Sequence, residues 1–140
     1  MDEGGWLTGF LTSKLGVALT AISLIGASIA MYGSFERTVQ GEQLNAVADS
    51  TAAAFHTVCS LPGRVHLRRE LPSIDQSYTI TISGSYESYQ TIRILVAGRE
   101  NVSRTLFIEE KVNGGDFDIE RKGPRKIRIT KSSQILVEVI

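Results

Sequence analysis

The sequence predicts an α+β protein in which one long N-terminal helix is followed by a small antiparallel β-sheet or sandwich domain of about seven strands. Three observations lead to this prediction. Residues 15–35 contain no charged side chain. Apolar residues then recur at helical spacing as far as residue 58, with no proline before Pro62. From residue 64 the apolar residues alternate, as in strands. We therefore expect the helix within residues 1–60 and an all-β domain over residues 61–140.

The uncharged segment 15–35 is long enough to cross a lipid bilayer. Its 21 residues match the roughly 20 that a helix needs to span the hydrocarbon core. A cleaved signal peptide has a shorter apolar core, of roughly 7 to 15 residues, after a basic start. Here Asp2 and Glu3 come first, and Lys14 directly precedes the segment. We expect a membrane-spanning helix, and because Lys14 lies closer to the apolar core than Arg37 does, an internal amino terminus and an external carboxyl half.

The membrane segment is rich in small residues. Gly26, Ala30 and Ser34 recur at a spacing of four, and Ser23 and Ala27 form an adjoining stripe. Small side chains let two helix backbones approach closely, so these positions are candidates for helix packing and assembly. Small residues are also common in membrane helices in general. Both interpretations remain open at the level of sequence.

The next segment continues the helix as an amphipathic one. An apolar stripe includes Leu44, Val47, Phe55 and Val58. Because no turn signal separates it from the apolar segment, we expect one helix from about Lys14 to Val58, roughly 65 to 70 Å long at 1.5 Å per residue and so longer than a bilayer is thick. The stripe binds either the β-domain of the same chain or the helix of a neighbouring copy.

Leu61, Pro62 and Gly63 end the predicted helix, because proline cannot continue it. Short turn-like segments separate the strands that follow, and Asn113 followed by Gly114 is a favoured hairpin signal. The arrangement predicts an antiparallel meander or a small sandwich. The predicted strands lie at 64–71, 77–84, 89–98, 104–112, 117–121, 126–130 and 134–140.

Composition excludes several classes of function. Lys and Arg number 15, as do Asp and Glu, so the net charge is zero and there is no electrostatic footprint for nucleic acid. The single cysteine, Cys59, excludes an intrachain disulfide. His56 lies three residues before Cys59, but no nucleophile motif accompanies the pair. The sequence also has no phosphate-binding loop and no metal-ligand spacing. We expect no catalytic activity, cofactor, metal or small-molecule substrate.

Two features concern the surface of the β-domain. Asn101, Val102 and Ser103 form an N-glycosylation sequon in a predicted turn, which indicates an outward-facing domain. We expect the charged residues of one strand face to be solvated; they are Arg93, Arg104, Glu110, Lys126, Arg128 and Lys131.

An apolar N-terminal helix that runs into an amphipathic helix and then into a small β-domain resembles the type IV pilin-like proteins, particularly archaeal pilins and archaellins. Ser13 to Gly16 loosely resembles their processing site, which implies cleavage after Gly16; bacterial pilins then carry a glutamate where this chain has Ala21. The resemblance implies that the apolar helices leave the membrane and bundle into a filament core, while the β-domains coat the outside.

The sequence therefore supports two hypotheses. In the first, the chain is a structural subunit of an extracellular filament at the cell surface, its partners are identical copies, and it is inserted in the cytoplasmic membrane before assembly. In the second, it is a single-span membrane protein whose extracytoplasmic β-domain binds the cell envelope or serves as an accessory subunit of a pilus or archaellum. They differ in whether the exposed helix meets identical copies.

Overall fold

The computed structural model describes residues 3–85, 90–123 and 125–140. One continuous helix, α1, extends from Glu3 to Ser60. It begins earlier than the sequence predicts, at Glu3 rather than near Lys14. Contacts one turn apart stabilise this first part: Trp6 stacks on Phe10, and the Lys14 ammonium lies 4.8 Å from the centre of the Phe10 ring.

The chain divides into two compact units, Met1–Thr38 and Val39–Ile140. In its described part, the first unit consists only of α1. The second contains the rest of α1 and all of the strands. Helix α1 ends where Pro62 prevents its continuation, and Gly63 adopts a φ of 80°, a left-handed conformation that favours glycine.

Eight strands form the β-domain, in agreement with the predicted α+β class. One sheet has the order β1-β7-β8-β5 and the other the order β4-β3-β2-β6. All pairs are antiparallel except β5 with β8, which is parallel. The strands are β1 Val65–Glu70, β2 Tyr78–Ser85, β3 Thr91–Ala97, β4 Asn101–Phe107, β5 Val112–Asn113, β6 Gly115–Ile119, β7 Lys126–Lys131 and β8 Ile135–Val139.

The region between β4 and β6 differs from the sequence-based expectation. The predicted strand 104–112 is two strands, β4 and the short β5, which lie in different sheets. The predicted hairpin at Asn113 and Gly114 is wrong, because β5 pairs with β8 and β6 pairs with β2. The chain instead crosses between the sheets at Gly114. A Cβ atom there would lie 2.0 Å from the carbonyl oxygen of Ile82, so this crossing requires glycine.

The core of the β-domain is built from alternate residues of both sheets together with one face of α1. Strand β3 shows the pattern clearly, because Ile92, Ile94 and Val96 are buried and the residues between them are not. Residues of α1 complete the same core, which explains why the second compact unit begins at Val39 and not at the first strand.

Candidate functional site

The most unusual surface of the chain is the apolar half of α1. Each large apolar side chain of this half, from Trp6 to Phe35, is exposed by 48 to 74%. By length and composition the helix could cross a membrane. Two of its hydroxyl groups are satisfied within the helix: Thr20 donates to the Gly16 carbonyl and Ser28 to the Leu24 carbonyl, each at 2.8 Å. Such bonds keep these two hydroxyl donors paired in lipid.

The predicted packing positions lie on this surface. Ser23, Gly26, Ala27, Ala30 and Ser34 are all exposed. A Cβ atom added at Gly26 would meet nothing within 4 Å, and the same holds at Gly16 and Gly33. Glycine costs roughly 1 kcal/mol relative to alanine inside a helix. No contact within the described chain accounts for these glycines.

The resemblance to a processing site falls in the same half of α1. Ser13, Lys14, Leu15 and Gly16 all lie within the continuous helix, as does Ala21. Trp6, Phe10 and Lys14 stack along one side of the helix before the apolar segment. Aromatic rings and lysine are the residues that favour the interface between lipid and water. This end of the helix therefore has the chemistry of an interfacial anchor.

The amphipathic half of α1 is embedded in the β-domain. Leu44, Val47, Phe55 and Val58 are completely buried, as are Thr51 and Ala54 between them. The Thr51 hydroxyl donates to the Val47 carbonyl at 2.9 Å, so the buried polar group is satisfied. Of the two alternatives that the sequence left open, these side chains contact the domain of their own chain.

An arginine of β4 connects the helix to the sheet. Arg104 donates from Nε to Asp49 Oδ1 at 2.8 Å and from Nη2 to Asn45 Oδ1 at 2.9 Å. Asn45 in turn donates from Nδ2 to the Gly41 carbonyl at 3.0 Å. The prediction that Arg104 is merely solvated is therefore wrong, because its guanidinium is held by two residues one helical turn apart.

The turn between β3 and β4 approaches α1 closely. A Cβ atom at Gly98 would lie 3.1 Å from Leu44 Cδ2, and one at Gly41 would lie 2.8 Å from Glu100 Oε2. Arg99 also donates from Nη1 to Gln40 Oε1 at 3.4 Å. Two glycines thus allow this turn to lie against the helix.

Lys131 of β7 caps the end of α1. Its ammonium lies 2.7 Å from Glu110 Oε1, and it donates to the carbonyls of Leu61 at 3.2 Å and Cys59 at 3.5 Å. The last turn of α1 carries no basic side chain of its own. Lys131 therefore supplies the positive charge that a helix C-terminus favours, from a strand distant in sequence. It is only 12% exposed, so the prediction of a solvated lysine is wrong.

The geometry gives no support to nucleophilic chemistry at Cys59. Burial raises the pKa of the Cys59 thiol, and the nearby Glu110 carboxylate raises that pKa further, whereas Lys131 lowers it. A reactive cysteine needs the opposite shift, because the thiolate is the nucleophile. His56 is exposed on α1. Within the part of the chain that the structure describes, no cluster of metal-ligating side chains is present.

A cleft of about 560 Å³ lies where β2 begins and β3 and β6 end. Gln76, Tyr78, Arg99 and Asp118 are among the residues that line it. The Nε2 of Gln76 and the Oη of Tyr78 are buried without a hydrogen-bond partner among the described residues. Burial raises the pKa of Tyr78, although Arg125 lowers it, so the phenol stays neutral. Thr79 Oγ1 also donates to Asp118 Oδ1 at 2.7 Å within the lining, so the cleft offers several hydrogen-bonding groups.

The glycosylation sequon lies on the edge of a sheet. Asn101 is the first residue of β4 rather than part of a turn, and both Asn101 and Ser103 are exposed. Because β4 ends its sheet, a glycan on Asn101 would have room to project from it.

No local sequence signal identifies Arg104 and Lys131 as the strand residues that bind helix α1. Which strand residue meets a helix depends on the tertiary fold.

Comparisons of the chain with protein-family models, curated proteins and solved structures found no match. The architecture, a long apolar N-terminal helix followed by a β-sheet domain, is consistent with the type IV pilin-like fold.

Proposed function

We propose that this chain is a structural subunit of an extracellular pilus-like filament, without catalytic activity. In this proposal the apolar helix is first inserted in the cytoplasmic membrane and then joins identical helices in the filament core. The β-domains coat the outside of the filament. The observation on which this rests most is the uncovered apolar half of α1, from Trp6 to Phe35.

The free energy that burial of that apolar surface would contribute indicates that the surface must be covered. Fourteen large apolar side chains between Trp6 and Phe35 are exposed. Burying each would contribute roughly 1.5 to 3 kcal/mol, or roughly 20 to 40 kcal/mol for the set. That is more than the whole folding free energy of a typical domain, roughly 5 to 15 kcal/mol. Lipid before assembly and neighbouring helices after it would each remove this surface from water.

The small residues favour helices as the final environment. Lipid tails would cover leucine and isoleucine as well as they cover glycine, whereas close backbone contact needs small side chains. Gly26, Ala30 and Ser34 lie along one side of the helix, and no contact within the described chain accounts for Gly26. A second helix that approaches this side would account for all of them.

A second candidate function is a single-span membrane protein with an exposed β-domain. The observation that favours it is the burial of Leu44, Val47, Phe55 and Val58 against their own domain. The amphipathic half of α1 therefore needs no neighbouring copy to cover its apolar stripe. Such a protein would bind the cell envelope or act as an accessory subunit of a pilus or archaellum.

Bulky substitutions in the small-residue stripe distinguish the two candidates. We expect Gly26→Leu or Ala30→Phe to abolish filament formation while the chain still inserts in the membrane. Ala21→Leu is the matched control, because Ala21 lies on the opposite side of the helix at 3.6 residues per turn. Negative-stain electron microscopy of sheared surface material measures the yield. Wild-type yield from Gly26→Leu and Ala30→Phe would contradict the proposal.

A further inference from the structure

We infer that the cleft where β2 begins and β3 and β6 end binds a neutral ligand with several hydroxyl groups, that is, a saccharide. The inference concerns binding without any reaction, and it does not depend on whether the chain polymerises. The cleft, of about 560 Å³, is lined by residues 75–79, 97–99 and 118–120. Its volume falls within the range of roughly 300 to 1,000 Å³ that small-molecule sites occupy.

Two side chains of the lining hold polar atoms that need a partner. Tyr78 is only 5% exposed, and its Oη has no hydrogen-bond partner among the described residues. The same is true of Gln76 Nε2. A buried polar atom without a partner costs free energy, and few such atoms occur in native structures. A bound molecule that supplied the missing hydrogen bonds would remove this cost.

The Gln76 amide is held weakly enough to turn toward a bound molecule. Its Oε1 accepts from the Arg99 backbone N–H at 3.4 Å, longer than the usual length of about 3.0 Å. A Cβ atom at Gly98 would lie 3.2 Å from the same Oε1, so glycine leaves room for the amide here. A rotation of the Gln76 side chain at the expense of one long hydrogen bond would therefore present Nε2 to a ligand.

The lining supplies hydrogen-bond acceptors as well as donors. Asp118 Oδ1 accepts from Thr79 Oγ1 at 2.7 Å, and this bond orients the carboxylate. Glu120 also lines the cleft and is exposed. An ionised carboxylate only accepts hydrogen bonds, whereas an amide nitrogen only donates and a phenol does both. A ligand in this cleft therefore meets both kinds of group.

This combination selects the chemical class of the ligand. An ammonium or guanidinium group has donors only and would leave Gln76 Nε2 unpaired. A phosphate or carboxylate group carries negative charge, and of the described residues that line the cleft three are acidic and only Arg99 is basic. Each hydroxyl group of a saccharide both donates and accepts, so neighbouring hydroxyls satisfy both kinds of group.

A possible glycan attachment site lies close to the cleft. In the register of the sheet, Asn101 lies opposite Ala97, and Ala97 lies opposite Thr79. Asn101 is therefore two strands from Thr79, about 10 Å away, and on the same face of the sheet. Thr79 and Ala97 both line the cleft. A glycan on Asn101 is thus one source of the saccharide, and a saccharide outside the chain is the other.

Binding to an array of immobilised neutral and anionic oligosaccharides tests the inference. The full-length chain is produced in a host without N-glycosylation and placed in phosphatidylcholine nanodiscs, because detergents with sugar head groups would compete. We expect binding of neutral oligosaccharides, with an affinity that Asp118→Asn lowers about tenfold. Asp116→Asn, on the same face of β6 but outside the cleft, is the matched control and should bind as the wild type does. No binding, binding of anionic oligosaccharides only, or equal affinity for the two variants would overturn the inference.

Tyr78→Phe separates binding from folding. The substitution removes only a hydroxyl group without a partner among the described residues, so the chain should unfold at the wild-type temperature or above it. Its affinity for the neutral oligosaccharide that the wild type binds best should fall about fivefold. Unchanged affinity would overturn the inference. A lower unfolding temperature would indicate a partner for the hydroxyl within the protein and would also overturn it.

Production in a glycosylating host distinguishes the two sources, once mass spectrometry has confirmed a glycan on Asn101. If that glycan fills the cleft, Asn101→Gln will bind the array and the glycosylated chain will not. If the saccharide comes from outside, both will bind; either result supports the site. Filaments of a chain that binds no saccharide would overturn this inference and leave the proposed function intact, and binding by a chain that forms no filaments gives the reverse.

Discussion

Replacing Lys131 with methionine tests how the end of α1 is held to the β-domain. Methionine retains an unbranched apolar side chain but removes the ammonium that lies 2.7 Å from Glu110 and 3.2 Å from the Leu61 carbonyl. The substitution leaves a partly buried carboxylate without its cation and the C-terminal carbonyls of α1 without a positive charge. Hydrogen bonds to charged groups contribute about 1.5 to 3 kcal/mol, and a charge at a helix terminus about 0.3 to 1 kcal/mol more.

We therefore expect Lys131→Met to lower the free energy of unfolding of the β-domain by about 2 to 3 kcal/mol. The assay is urea unfolding in detergent micelles, followed by near-UV circular dichroism. With a slope of about 1 to 3 kcal/mol per molar urea, the midpoint should fall by about 1 M or more. Lys126→Met on the same strand is the control, because Lys126 is exposed. Equal midpoints for the two variants would refute the role of Lys131 as a helix cap.

Two further predictions concern the β-domain. Gly114→Ala should destabilise it by about 3 kcal/mol or more, because the new Cβ would lie 2.0 Å from the Ile82 carbonyl oxygen; thermal unfolding measures this, and an effect no larger than that of Gly115→Ala would contradict it. Burial raises the pKa of Cys59 above 9.0 and that of Tyr78 above 10.0. The unfolded chain therefore loses these protons first, and stability should fall as the pH rises above 9.0. Urea unfolding between pH 8 and 11 tests this, and the Cys59→Ser variant should lose less stability over that range; a constant midpoint would exclude the effect.

The helix and most strands could be predicted because apolar residues recur along the sequence with the period of a helix or of a strand. The uncharged run 15–35 and the stripe through Leu44 and Val58 specify a helix, and alternation specifies strands such as β3. Helix α1 begins at Glu3, earlier than the sequence predicts, although Gly4, Gly5 and Gly9 have low helix propensity. The contacts among Trp6, Phe10 and Lys14 offset that deficit.

Features that depend on distant contacts could not be predicted from local sequence. Asn113 and Gly114 have the composition of a hairpin turn, yet the partners of β5 and β6 lie in different sheets. The Ile82 carbonyl leaves no room for a Cβ atom at Gly114. Lys131 reaches the end of α1 from β7. In each case the partner is far away in sequence. The candidate packing surface stays a prediction from local sequence, because it depends only on the spacing of small residues on one helix.

We propose that this chain polymerises through its apolar helix. The most direct measurement is electron microscopy of material sheared from the cell surface, with peptide mass spectrometry of the same purified fraction to identify the chain and its first residue. We expect filaments composed mainly of this protein. Recovery of the chain only from membranes, and only after detergent extraction, would contradict it and favour the single-span membrane protein.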